Sequence, residues 1–446
     1  MSFSGLTFLY VFLPAFLLFY FVVQRKTRAA VLLLGSLVFF LLPGGVYAFA
    51  MLIPLLISWL CAMAMERYEG RAKAALLALS VIAGIAVLCW LRSTKPAAAL
   101  SAAAGIMALR GISYSLGVYR GSFSVERSAA VLGAYILPFP QLAGYLAESY
   151  DEASSALRLS GVTLNGIYFG VKRFTAGLGK NVLIAGLLGG FASAFREADN
   201  LSVGFCWLYA LCGVLGLYYQ LSGLSDMAVG LGGILGLRLP ENFSFPLLAG
   251  SISALSRRWM ITVGLCIKRT VCDGLKGPGN SVLLRFFGII AACTVFGLIL
   301  GFKTRFVLFG LLIGVLICIE KAAGVKKANL FTHFYTLLFL LIAAVLLTSE
   351  SLAEAGNILA SMLGLGGLPV WNAAAGSYTR AYLVVFFIAL IGATPLPSGL
   401  WSRFVSTSWG SRAAVVLEPL FVLGVLALST AFLVDGAFVS FSFLRL

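Results

Sequence analysis

The feature that most constrains this chain is a succession of predominantly apolar runs with clusters of Lys and Arg between them. A helix needs roughly 20 predominantly apolar residues to cross a hydrocarbon core about 30 Å thick. By that measure about eleven to thirteen runs qualify. They fall near residues 3–23, 29–42, 46–65, 74–91, 99–118, 130–147, 181–195, 202–220, 286–302, 304–319, 329–348, 379–394 and 413–434. The 446 residues are 61% hydrophobic and 11% charged, whereas a soluble domain is roughly 45–50% apolar and about 25% charged. Such a chain has too few polar side chains to cover a water-soluble globule, and the same arithmetic excludes a disordered chain, a collagen-like one and a secreted disulfide scaffold. The expected fold is an all-α polytopic bundle of about eleven transmembrane helices with re-entrant segments, one integral membrane domain over 1–446.

Charge sets the orientation. The first run lacks a basic region before it and a small-residue cleavage site after it, so it reads as a transmembrane helix and not a signal peptide. Arg25, Lys26 and Arg28 follow it directly, which places that end in the cytoplasm and the N-terminus outside. The next two runs flank Pro43-Gly44-Gly45, a turn, and Arg67, Arg71 and Lys73 bring the chain back to the cytoplasm. The net charge of +16 is explained by topology and by anionic lipid headgroups, so no nucleic-acid partner is expected. The eight cysteines show no CxxC pattern; they read as reduced packing residues, with no metal site and no disulfide framework. One histidine, His333, removes every mechanism that needs two imidazoles.

The middle of the chain, 160–280, has a different texture. Gly161, Gly166, Gly170, Gly177 and Gly179 punctuate it, with Lys172, Arg173 and Lys180 interleaved. A stretch of that kind reads as half-helices or re-entrant loops buried in protein or lining a wet cavity, and a functional site is expected here. Ser222 and Asp226 lie four apart and share a helical face. Asp226 is either a functional acid or a residue that glues helices together. Gly232 and Gly236 form a small-xxx-small pair that permits close helix approach. Pro240 and Pro246 bracket a loop containing Asn242, and Ser256-Arg257-Arg258-Trp259-Met260 follows. Arg257 and Lys268 fall eleven apart, near three helical turns, as do Arg258 and Arg269. This is either a basic interfacial helix anchored by Trp259 or a cation cluster that grips a phosphate-bearing acyl donor or lipid.

At these residues the chain resembles the membrane-bound O-acyltransferases of the alginate O-acetyltransferase type, related to the D-alanyl transfer protein of teichoic acids. The likeness runs from Ser2-Phe3-Ser4-Gly5-Leu6-Thr7-Phe8-Leu9-Tyr10 and Phe12-Leu13-Pro14 through Gly111-Ile112-Ser113-Tyr114, Val118-Tyr119-Arg120-Gly121 and Phe139-Pro140-Gln141-Leu142. Its strongest stretch extends from Ser222-Gly223-Leu224-Ser225-Asp226-Met227-Ala228 through Leu239-Pro240-Glu241-Asn242-Phe243 to Ser256-Arg257-Arg258-Trp259. The resemblance implies a multi-helix acyltransferase bundle, O-acylation of an exopolysaccharide or wall polymer, and no bound cofactor. An acyl donor such as acetyl-CoA would be the substrate, bound by Ser222, Asn242, Arg257, Arg258 and Trp259. Beyond the lipid bilayer, it implies an extracytoplasmic SGNH-type acyltransferase or polysaccharide-synthesis proteins as partners, at the plasma membrane.

Departures from the pattern decide the chemistry. A histidine follows the family's Arg-Arg-Trp run, and Met260 stands there in this chain. The family's catalytic histidine sits in a Gly-Leu-Trp-His-Gly run, matched here by Gly297-Leu298-Ile299-Leu300-Gly301, with Leu300 in the imidazole's place. Neither Leu nor Met can take the proton of an attacking hydroxyl, a task worth roughly 10²–10⁴ in rate. Two residues are candidates for a relocated base: Asp226, whose basicity burial would raise, and His333, which follows a basic cluster of Lys321, Lys326 and Lys327. Three readings follow: a catalytically degenerate relative that binds or scaffolds, an active acyltransferase with a substituted base, and a transporter or flippase of lipid-linked sugar. Motif order disfavours the third, and the histidine count favours the first.

Overall fold

The computed structural model describes residues 3–94, 98–159, 161–198, 200–273, 281–325, 329–365 and 367–436. Lys326 and Lys327, and residues 160 and 274–280 of the central region, lie outside the described residues. The described residues form helices and connecting loops, with one isolated antiparallel bridge, Phe243 to Trp259, and no sheet. Among the described residues eight stretches are long and apolar enough to cross a membrane: Arg25–Met65, Gly70–Ser93, Leu164–Glu197, Val203–Leu235, Val282–Leu300, Leu330–Thr348, Ala373–Gly392 and Ser408–Val434. The chain is a multi-pass plasma-membrane protein. Burial ranks these stretches: 67% of the apolar window of Val203–Leu235 is inside the protein, against 6% for Ser408–Val434. The first is the central pillar and the second lies at the lipid-facing periphery.

Several spans differ from the sequence expectation. The run at 181–195 is the second half of Leu164–Glu197, continued through a π turn at Lys180–Ala185. The run at 130–147 breaks into Ala129–Ile136 and Phe139–Ala143 at Leu137-Pro138, with Pro140 in the first turn of the second piece, because a proline ring nitrogen cannot donate within a helix and is tolerated only in its first turn. The glycine-rich start of the central region is not a set of half-helices: Leu164–Gly179 is one regular helix. Its glycines face the pillar. A Cβ on Gly170 would lie 2.5 Å from the Gly230 carbonyl oxygen, and one on Gly177 would lie 2.6 Å from that of Gly223. Missing side chains thus let two backbones touch, as small residues do between membrane helices.

Gly236 has another role than the one its spacing suggested. It takes a left-handed φ of 78° and ends the pillar as its C-cap, a conformation open to glycine at little cost. The chain then becomes irregular, with short helices at Ile252–Ser256 and Ile261–Ile267 and a π turn at Lys268–Cys272. Opposite these pieces stands a tight antiparallel hairpin, Val282–Leu300 with Thr304–Ala322; a Cβ on Gly310 would meet the Cys293 carbonyl at 2.4 Å.

Candidate functional site

The irregular segment is held by Asn242, which is buried. Its Nδ2 donates to the Tyr145 carbonyl and to Ser225 Oγ, both at 3.0 Å. Its Oδ1 accepts from the Thr262 N–H at 3.1 Å and from Thr262 Oγ1 at 2.8 Å. Ser225 in turn donates to the Gly144 carbonyl at 2.7 Å. Asn242 therefore pins three segments together: the pillar, the 144–147 loop and the start of Ile261–Ile267. The backbone reinforces the pin, since Ser244 N–H donates to Arg258 and Ile261 N–H to the Asn242 carbonyl. All four polar sites that buried Asn242 uses serve the fold.

A second buried polar group props the 144–149 loop from behind. Arg110, fully buried, donates to Gln141 Oε1 at 2.8 Å and lies over the Tyr135 ring at 4.5 Å. Gln141 passes the network on to Glu148 Oε1 at 3.2 Å. Burial pushes the Glu148 carboxyl up to about 7, with the Arg110 charge opposing.

Between the pillar, the broken segment, the hairpin and Leu330–Thr348 lies a chamber of about 550 Å³. Val214, Leu217 and Leu221 of the pillar line it, as do Phe296 and Leu300 of the hairpin and Leu340 and Leu347 of the facing helix. Leu300 thus points into a cavity beside the helix that carries Asp226. Arg92 secures this end of Val282–Leu300: its Nη1 and Nη2 donate to the Leu298 and Ile299 carbonyls at 2.7 and 2.6 Å. That satisfies two of the carbonyls that a helix C-terminus leaves without partners. Trp259 and Ile261 also line the chamber, while Met260 between them is fully buried, holds a left-handed φ of 48° and is absent from the lining.

Among the described residues four cations reach the lining, Arg257, Lys268, Arg285 and Lys321, and no carboxylate or imidazole does. The anticipated continuous basic helix does not form, because the left-handed Met260 separates Ile252–Ser256 from Ile261–Ile267. Of the expected pairs, Arg257 and Lys268 still meet at the chamber. Arg258 approaches the Leu248 carbonyl at 3.5 Å instead, and Arg269 binds Glu152 Oε1 at 2.9 Å. Trp259 packs edge-on against Phe243 with centroids 5.5 Å apart, so it serves the chamber wall and not a water interface.

The remaining candidates sit elsewhere. Asp226 is clamped between Arg173 and Lys180, each at 2.6 Å, and Arg173 also holds Glu241 through two donors. Both Asp226 oxygens are committed, and the residue joins the glycine-faced helix pair. Ser222 is buried outside the chamber lining, its hydroxyl without a partner among the described residues. His333 Nδ1 lies 3.0 Å from the Ala249 carbonyl, also outside the lining. Sequence reasoning missed Arg92, Arg285 and Lys321 as parts of this site, because each sits where topology alone accounts for a cation. All eight cysteines are thiols, and the described residues contain no group of three or more His, Cys, Asp or Glu able to hold a metal ion.

No family model matches the chain. Curated relatives do. The chain is 28% identical over 430 residues to a probable alginate O-acetylase AlgI of Pseudomonas aeruginosa, covering 87% of this chain and 82% of that one. It is 25% identical to the corresponding protein of Azotobacter vinelandii, over 88% and 84% of the two chains. The chain is a homologue of the alginate O-acetylases. A peptidoglycan O-acetyltransferase of Helicobacter pylori is 30% identical over 210 residues, 45% of this chain and 40% of that one. Within this O-acyltransferase homologue the chamber at Leu300 is the feature to interpret.

Proposed function

We propose that this chain is a catalytically degenerate membrane-bound O-acyltransferase, retained as a binding or scaffold subunit in the O-acetylation of a cell-envelope glycopolymer. One observation carries the reading: among the described residues, the chamber that Leu300 faces offers neither carboxylate nor imidazole. An acceptor hydroxyl there meets no group able to take its proton at neutral pH. The two candidate substitutes support the same conclusion, since Asp226 is bound by two cations and His333 lies outside the lining. Partners implied by this role are an extracytoplasmic SGNH-type acyltransferase and polysaccharide-synthesis proteins. On this reading the membrane domain is a single unit with about eleven crossings. The eight long stretches supply nine of them, because Arg25–Met65 turns back after Gly44 and crosses twice, and the apolar helices Phe8–Val22, Ala98–Tyr119 and Thr304–Ala322 supply three more.

The test is acetyl transfer from acetyl-CoA to a glycopolymer acceptor in vesicles containing the whole chain. The unaltered protein is expected to give background turnover. Leu300→His, alone and combined with Met260→His, is expected to raise the rate by about 10²-fold or more if the rest of the machinery survives. Robust turnover by the unaltered chain, lost on His333→Ala or Asp226→Asn, would establish a relocated base and overturn this reading.

A further inference from the structure

The chamber has a composition that the lost reaction does not require. A two-carbon acyl group needs little room, yet about 550 Å³ is open here, within the roughly 300–1,000 Å³ range of pockets that engulf whole small molecules. Its depth is hydrocarbon: Val214, Ile289, Phe296, Leu300, Ala343 and Leu347. An amide-rich chain such as a pantetheine arm would bury its polar groups there without partners, at a cost of roughly 1–3 kcal/mol each. A saturated chain has no such penalty and gains about 0.8 kcal/mol per buried methylene.

The rim has the opposite character. Arg257, Lys268, Arg285 and Lys321 line the chamber, are exposed, and take part in no ion pair among the described residues. They gather toward one end. Arg285 starts one arm of the antiparallel hairpin and Lys321 finishes the other. Cys272 Sγ reaches the Gly288 carbonyl at 3.5 Å, which brings the Lys268–Cys272 turn to that end. Glu320 accepts from the Ile252 and Ser253 N–H groups at 2.7 and 2.8 Å, fixing the short helix that precedes Arg257. Apolar side chains stand exposed at the same level: Leu265, itself part of the lining, at 46%, with Leu283 at 79% and Phe287 at 67%. Unpaired cations beside exposed Leu and Phe make a headgroup-level surface, so the opening meets the bilayer as well as water.

We propose that the chamber is a binding site for an anionic phospholipid, which inserts one acyl chain toward Leu300 while its phosphate is held by the four rim cations. The proposal is independent of acetyl transfer, since it concerns an occupant and not a reaction. The lipid would enter from the cytoplasmic leaflet, where anionic headgroups concentrate and each nearby Lys or Arg contributes about 1 kcal/mol. Such an occupant gives a chamber without a proton acceptor a purpose: it makes the bundle sensitive to the lipid around it.

The experiment uses the full-length protein, delipidated in detergent, and measures binding of a phosphatidylglycerol with one fluorescent acyl chain. Expected are about one tight site per chain and at least a tenfold preference over the matching phosphatidylcholine, the equivalent of about 1.4 kcal/mol. The triple variant K268E/R285E/K321E changes only exposed positions and is expected to abolish that preference with its melting temperature unchanged. Ala343→Phe and Ala292→Phe, which fill the chamber from two walls, are expected to weaken binding at least tenfold. Equal affinity for the two lipids, or retention of the preference by the charge variant, overturns the proposal. Displacement of the lipid by a 16-carbon acyl-CoA at lower concentration than by unlabelled phosphatidylglycerol also overturns it, because the preferred occupant would then come from water.

Discussion

Asn242 illustrates how a residue inside a family motif can be structural. It donates twice and accepts twice inside the protein, and every one of those partners is itself buried or part of the backbone. Asn242→Leu would leave the Tyr145 carbonyl and the Thr262 N–H without the partners Asn242 supplies, at roughly 1–3 kcal/mol for each buried group, while Ser225 Oγ would keep only its bond to the Gly144 carbonyl. The expected outcome is a chain that fails to accumulate or melts far below the parent, measured by thermal unfolding in detergent. Asn242→Asp, keeping the acceptor but losing the donor, should remain clearly destabilised. A simple contribution to substrate binding would instead leave the melting temperature untouched. Glu148 gives a pH-dependent counterpart. Its native pKa of about 7 lies above the ordinary value of 4.5 because burial disfavours the charged form. Between those values the folded chain keeps the proton that the unfolded chain has released, so each rise in pH favours unfolding. The penalty is absent below about pH 4.5 and complete above about pH 7. Glu148→Gln removes the ionisation, so its melting temperature relative to the parent should rise from pH 5 to pH 8. A constant difference across that range would show that Glu148 does not titrate there.

At the scale of elements, the decisive contact is the glycine face between Leu164–Gly179 and the pillar. A Cβ on Gly230 would lie 2.4 Å from the Phe174 backbone nitrogen, and one on Gly177 would lie 2.6 Å from the Met227 nitrogen. Backbone cannot yield as a flexible side chain can, so Gly230→Ala must push the helices apart. That separation would also stretch the Asp226 clamp to Arg173 and Lys180. Gly356 lies in Leu352–Met362 with open space around it, so Gly356→Ala there should stabilise by up to about 1 kcal/mol through reduced freedom of the unfolded chain. The pair of variants is therefore expected to shift melting in opposite directions. The sequence pattern misled here for a physical reason. Glycines interleaved with cations look like broken backbone when read alone, and only the partner helix, some fifty residues later, shows that they form a contact face. Asp226 shares this limit: its spacing from Ser222 is legible, but the cations that claim it are on the other helix. The apolar runs were legible because each depends only on local composition. The chamber was not, since its lining comes from five separate stretches between Val214 and Leu347.

For the whole molecule, charge and packing agree on one orientation. Arg28 lies over the Tyr20 ring, and the Tyr20 hydroxyl donates to the Leu235 carbonyl. Lys73 lies over Tyr119, and neighbouring Arg120 donates to the Arg269 carbonyl. These contacts tie the basic turns of the first half to the broken segment, and through Cys272 and Gly288 to the chamber rim. The opposite end holds the Arg92 fork on Leu298 and Ile299, with Gly105 against the same carbonyl, and Arg196 on the Thr348 carbonyl. The positive-inside rule assigns the first end to the cytoplasm, because the clusters of Arg and Lys in short loops lie there. Lys321 should then be reachable from the cytoplasm and Lys303, at the far turn of the same hairpin, from outside. With the native cysteines replaced, Lys321→Cys should react with a membrane-impermeant maleimide only in inverted vesicles, and Lys303→Cys only in right-side-out ones. Labelling of both from one side would break the hairpin as a membrane crossing. Labelling with the sides exchanged would turn the bundle over and put the cationic rim in the outer leaflet. Because the chamber opens at the Lys321 end, this measurement also fixes which leaflet can supply its occupant.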